Sequence, residues 1–187
     1  MSTFEIVAAA FGIVSVFLST RQNIWSWPTS LVNVTMYAIY FFDQKLYALM
    51  ALQAFFGVIS LYGWYEWLFG GQAKSELKVT RIPVPQAAVL TLGGVVSMLG
   101  IWLLLSHHTA DPDPAMDAGF FAASLVGQYM MARKYVECWP LWILINCVSV
   151  PFFYSKHAYP TMVQYGVFLG LAIMGWRQWK ASLVASS

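Results

Sequence analysis

The sequence predicts an all-α integral membrane protein, with seven transmembrane helices set out as two parallel three-helix repeats joined by one linker helix. Three observations carry that prediction. Apolar residues make up 59% of the 187-residue chain, charged residues only 10%, and the mean hydropathy is +0.63, whereas an ordinary soluble domain is about 25% charged. Seven uncharged runs approach or reach the length of a membrane span. The chain also repeats itself at an offset of 112 residues, so that "GWYEW" from Gly63 returns as "GWRQW" from Gly175.

The runs are Ile6 to Thr20, Ile24 to Phe42, Leu46 to Tyr65, Ile82 to Ser106, Ala118 to Ala132, Cys138 to Ser155 and Ala158 to Trp176. A spanning helix needs about 20 mostly apolar residues. The two shortest runs reach that length by crossing one acid each, Glu5 and Asp117. A soluble bundle would turn charged helix faces to water, and these runs have no charge to turn. Glu5 stands where a cleavable signal would carry a basic residue, so the first helix is expected to remain as a span. Cys138 and Cys147 share one apolar run, match no metal or redox spacing, and read as small core residues.

Basic residues set the expected orientation. With seven spans, the N-terminal side holds only Lys45 and Lys156, while the other side holds Arg21, Lys74, Lys78, Arg81, Arg133, Lys134, Arg177 and Lys180. The positive-inside rule then places the N-terminus outside and the C-terminus in the cytoplasm. The loop "HHTADPDPAMD" becomes external. Its His107, His108, Asp111 and Asp113 read as a solvated, proline-broken loop and not as a metal site, because no helix fixes a ligand spacing.

At the 112-residue offset, and without a gap, Arg21 falls on Arg133, Trp27-Pro28 on Trp139-Pro140, Phe41 on Phe153, Tyr47 on Tyr159, Met50 on Met162 and Phe56 on Phe168. Gly63, Trp64 and Trp67 fall on Gly175, Trp176 and Trp179, and Glu5 on Asp117. Tryptophan is only 9 of 187 residues, so this points to a duplication. The expected units are a first three-helix repeat over 1–70, a cytoplasmic loop and linker helix over 71–112, and a second repeat with the C-terminal tail over 113–187. An odd number of helices per repeat would invert the second copy, and the linker helix turns it back to parallel, as in one class of transporter. A solute would bind on the shared axis. Trp67 and Trp179, near the ends of their helices, are expected to be interfacial anchors.

The polar residues within the runs are amides and hydroxyls: Asn33, Thr35, Gln53, Gln128, Asn146, Thr161 and Gln164. Carboxylates, lysines and arginines, which proton- and ion-coupled carriers usually place there, are missing from the run interiors, so movement is expected to be uncoupled. An amide facing lipid without a partner costs several kcal/mol. Each amide must therefore face a site or bridge two helices. Trp142 and Asn146, four apart in "WILIN", project from one face of the sixth helix. An indole beside an amide suits a flat aromatic ligand with hydrogen-bonding groups, and a cationic ring would gain from the aromatic faces. A plain helix-packing face is the alternative.

The stretches "LYALMALQAFFGVISLYGWYEW", "ARKYVECWPLWILINCVSV" and "GWRQW" resemble those of the PnuC-type vitamin transporters, the nicotinamide riboside carriers of bacteria, and the likeness runs from the first helix to Trp179. The resemblance implies a SWEET-like fold, import of nicotinamide riboside across the bacterial inner membrane by facilitated diffusion with metabolic trapping inside, and a homotrimer with one path per protomer. It implies no enzymatic activity, no cofactor, no metal and no nucleic acid; the partners are a vitamin and the lipid bilayer. Carried over residue by residue, Gln53 matches the family's "LLQ"-like element and Trp142 with Asn146 its "WxxxN". Asn33, Gln164 and Tyr37 complete the expected substrate-binding set. Pro140 after Trp139 departs from a Leu found in the family. Thiamine, another cationic aromatic vitamin carried in the family, is the alternative substrate.

Overall fold

The computed structural model describes residues 3–45, 47–109 and 112–185, with the side chains at 3, 5, 47–49, 51, 184 and 185 left aside. Asp111 and the side chains of Glu5 and Tyr47 therefore lie outside the described residues. Seven helices follow one another: α1 (Thr3–Thr20), α2 (Ser26–Asp43), α3 (Tyr47–Phe69), α4 (Val84–His108), α5 (Pro114–Ala132), α6 (Cys138–Ser155) and α7 (Tyr159–Ala185). Each contains one of the seven apolar runs or nearly all of it. Proline stands in the first turn of α4, α5 and α7, where its missing N–H costs no helical hydrogen bond. Pro28 and Pro140 likewise occupy the third residues of α2 and α6.

The duplication extends to the backbone. Gln22 and Lys134, 112 residues apart, both adopt the left-handed conformation after α1 and α5, with φ of 54° and 51°, as do Lys45 and His157 after α2 and α6, with φ of 59° and 56°. The turns carry matched hydrogen bonds as well: Gln22 N–H to Ser19 and Lys134 N–H to Met131, each 3.0 Å, and Asn23 N–H to Leu18 and Tyr135 N–H to Met130, at 3.0 and 2.9 Å.

α2 packs between α1 and α3, and α6 between α5 and α7; α3 packs on α5, and α7 on α1. Six helices thus close into a ring, with α4 outside it against α5. Val89, Leu92, Val96 and Leu104 of α4 are each at least 60% exposed. Apolar surface this extensive belongs against lipid, and the chain is a membrane protein.

At the end of the ring that carries most of the basic residues, four indoles pack in a row. Trp27 meets Trp67 edge-on at 5.3 Å and 87°, Trp139 meets Trp179 edge-on at 5.4 Å and 86°, and Trp67 and Trp179 meet each other at 5.9 Å and 58°. Gly63 and Gly175 make room for them. A Cβ at Gly63 would lie 2.5 Å from Trp27 Cζ2, and one at Gly175 2.6 Å from Trp139 Cζ2. The expectation that Trp67 and Trp179 are interfacial anchors is therefore corrected: they are 2% and 0% exposed. Each has its bare glycine face one turn below, which lets the partner ring enter and draws the indole inward from lipid.

The segment between α3 and α4 is fastened to the turn between α5 and α6. Thr80 and Tyr135 form a parallel β-bridge, with Thr80 N–H bonded to the Lys134 carbonyl and Val136 N–H to the Thr80 carbonyl. Ile82 N–H reaches Glu137 Oε2 at 3.0 Å. Lys134, 6% exposed, donates to the Leu77 carbonyl at 2.8 Å and lies 4.5 Å from the centre of a Trp67 ring. Burial holds its ammonium down at about 8, with Glu76 pulling weakly the other way.

Candidate substrate site

Apolar helices leave an amide two kinds of partner, another helix or something outside the protein. Asn33 of α2 has the first kind. Its Nδ2 donates to the Ala8 carbonyl of α1 at 2.7 Å, over Gly12, where a Cβ would approach the same nitrogen to 3.0 Å. Of the residues expected at the site, Asn33 is the one the structure spends on joining α1 to α2.

Asn146 stands differently. It is 3% exposed, deep in α6, and none of the described hydrogen bonds reaches its amide, yet neither amide atom is sealed from the solvent-accessible surface. The half-buried amides of Gln53 in α3 and Gln164 in α7 are also without a protein hydrogen bond among the described residues. Gln128 of α5 is a fourth such amide, and leaving amides unmatched in a membrane interior is costly unless a polar ligand or water completes them.

Trp142 lies one turn before Asn146 on the same face of α6, half-buried. Its indole rests on Gly127 of α5, where a Cβ would come within 3.1 Å of Cε2 and 3.4 Å of Nε1. Gly127 is what lets α5 approach closely enough to fix this ring. Tyr37 of α2 stacks on Phe41 at 5.9 Å.

Sequence reasoning passed over Tyr165. This α7 side chain stacks on Phe153 of α6 at 5.1 Å and 15°. At the repeat offset Tyr165 is the counterpart of Gln53, as Val34 is of Asn146 and Ser30 of Trp142. The available signal was the mismatch: the repeat is kept at the tryptophan cluster and broken at the expected site. A symmetric frame around an asymmetric lining is what an asymmetric ligand requires.

Two cavities lie elsewhere, one of about 450 Å³ between α4 and α5 and one of about 230 Å³ at the basic end beside α6 and α7. Neither is lined by any of the six expected site residues.

A ring of membrane helices, closed at one end by tryptophans and carrying unpartnered amides within apolar spans, defines a polytopic membrane carrier. The chain belongs to the nicotinamide mononucleotide transporter family, whose family model matches residues 2–181. It is 31% identical to the nicotinamide riboside transporter PnuC of Escherichia coli, over 96% of this chain and 85% of that one. It is 27% identical to the riboflavin/roseoflavin transporter RibM of Streptomyces davaonensis, over 94% of this chain and 83% of the relative. The crystal structure of the vitamin B3 transporter PnuC superposes with a TM-score of 0.75 at 25% identity, covering 97% of this chain and 82% of that one.

Proposed function

We propose that this protein imports nicotinamide riboside by facilitated diffusion, the vitamin being trapped inside by phosphorylation. The observation that carries the reading is the set of unmatched amides on Gln53, Asn146 and Gln164, with Trp142 one turn from Asn146, in a chain 31% identical to a nicotinamide riboside transporter. Trp142 stacks on the pyridinium ring, while Asn146 and Gln53, from opposite repeats, bind the carboxamide and the ribose. Tyr37 and Gln164 line the same path, and Asn33 acts through its hold on α1.

The architecture in this reading is two parallel three-helix units, α1 to α3 and α5 to α7, joined by α4. The matched turns and the matched tryptophan pairs support it. The N-terminus faces outward and the basic end faces the cytoplasm of a bacterium, in whose inner membrane the protein resides. The four indoles then close the cytoplasmic end of the path, and the two units rock about the site to open it. Homotrimeric assembly rests on the family resemblance alone.

In kinase-free liposomes, labelled nicotinamide riboside should equilibrate and stop. Accumulation above the outside concentration under a proton or sodium gradient would overturn facilitated diffusion. The similarity to a riboflavin carrier favours a second reading, a different vitamin on the same frame. Competition by thiamine and riboflavin against labelled nicotinamide riboside separates the two.

A further inference from the structure

We infer that the outer face of the second repeat holds one anionic glycerophospholipid, its headgroup between Arg81 and Lys180 and an acyl chain in the groove between α4 and α5. Glu137 lines both cavities, so they flank one residue. The groove is lined almost wholly by apolar and small residues, among them Leu90, Gly94, Met98 and Ala123. From Ala87 to Met98 it follows α4 for about 17 Å by helical rise. Only a long apolar chain matches a slot of that shape opening to the bilayer.

The mouth of the groove is charged. Arg81 and Lys180 line the smaller cavity with Trp176 and Pro140, both cations are exposed, and neither forms an ion pair among the described residues. Lys180 Nζ lies 5.6 Å from a Trp176 ring centre, and Trp176 is 40% exposed, in the manner of an indole at the headgroup level. The one carboxylate present, Glu137, has Oε2 engaged by the Ile82 N–H. Two cations against one acid leave a net positive pocket at the cytoplasmic surface, where basic pockets between helices take anionic headgroups. An anionic headgroup with its chain continuing into the groove satisfies both parts of the cleft, whereas a free phosphate satisfies only the mouth.

The test is native mass spectrometry of the whole protein in detergent, titrated with phosphatidylglycerol or phosphatidylcholine, with inorganic phosphate as competitor. The wild type should retain one phosphatidylglycerol in preference to phosphatidylcholine. Arg81→Ala and Lys180→Ala should each weaken it about fivefold, since a cation near the surface contributes about that much; both residues are exposed and unpaired, so the fold should be unaffected. Ala123→Phe should displace the lipid by filling the groove, with the charged mouth intact. Equal retention of the two lipids, or unchanged retention in the double variant, would overturn the proposal. So would displacement by millimolar phosphate, which would mark a free-phosphate site, or a change in protomer number in Ala123→Phe, which would mark the groove as an interface between copies.

Discussion

Trp67 and Trp179 tie α3 to α5 and α7 to α1 by the same bond made twice. Trp67 donates its indole N–H to the Met131 carbonyl at 3.1 Å, and Trp179 donates to the Ser19 carbonyl at 3.0 Å. Met131 and Ser19 are themselves 112 residues apart, so the two bonds fall at equivalent points of the repeat. The repeated GWxxW signature is therefore a pair of reciprocal latches, with the glycine admitting a neighbouring ring and the second tryptophan crossing to a helix distant in sequence.

Replacing either indole by Phe keeps much of the apolar contact and removes the donor. Each of Trp67→Phe and Trp179→Phe should destabilise the protein by about 0.5–1.5 kcal/mol, the net worth of one hydrogen bond, because the Met131 and Ser19 carbonyls keep the turn N–H groups of Lys134 and Gln22. The two losses should be similar because the bonds are equivalent. Unfolding in detergent, followed by near-UV circular dichroism, checks this.

Gly63→Ala and Gly175→Ala place a methyl against the ring carbons of Trp27 and Trp139. Overpacking of this kind costs about 1–3 kcal/mol. A lowered melting temperature in both variants, largely recovered when the facing Trp is also reduced to Phe, is the expected pattern. Recovery is what distinguishes a steric clash from a lost helix preference.

Lys134 gives the fastening at the basic end a pH dependence. Its folded-state pKa is depressed by burial to about 8, whereas an unfolded lysine keeps its proton to about 10.4. Between those values the unfolded chain binds more protons than the folded one, so stability should rise as pH rises. Lys134→Met should flatten that rise. Thermal melts of both proteins from pH 7 to pH 10 measure the difference, in which other titrating groups largely cancel.

Gly127→Ala would press a methyl onto Trp142, with the Cβ 3.1 Å from Cε2. If Trp142 is the stacking surface for the vitamin, this small change outside direct ligand contact should weaken binding about tenfold, the equivalent of roughly 1.4 kcal/mol. Calorimetric titration with nicotinamide riboside reads it out.

Much of the fold could be read from the long apolar runs without Lys, Arg, Asp or Glu, which is what a membrane span requires. The ends were less legible. α3 continues through Glu66 to Phe69 because Arg133 neutralises that carboxylate at 2.7 Å, and α7 continues past Arg177 and Lys180 to Ala185, about two and a half turns beyond the uncharged run. The tryptophans were misjudged for a physical reason. In helices apolar on every side no periodicity separates the inner face from the lipid face, and Trp near a span's end is usually an anchor. The glycine one turn before each was the inward-facing mark. Lys134, counted in the sequence only among the basic residues that set the orientation, is buried because a segment distant in sequence covers it. Asn33 and Asn146 read alike as intramembrane amides, and only the packing of α1 against α2 separates the bridging one from the unmatched one.

The central claim is that one vitamin spans both repeats through Gln53 and Asn146. Its most direct test is calorimetric affinity for nicotinamide riboside on Gln53→Ala, Asn146→Ala and the double variant, each shown to melt like the wild type. The account predicts about a tenfold to hundredfold loss for either single change, from about 1–3 kcal/mol per unmatched ligand group, and a further loss when both amides are removed. Wild-type affinity in both single variants would contradict it, and would make these amides features of helix packing with the vitamin bound elsewhere.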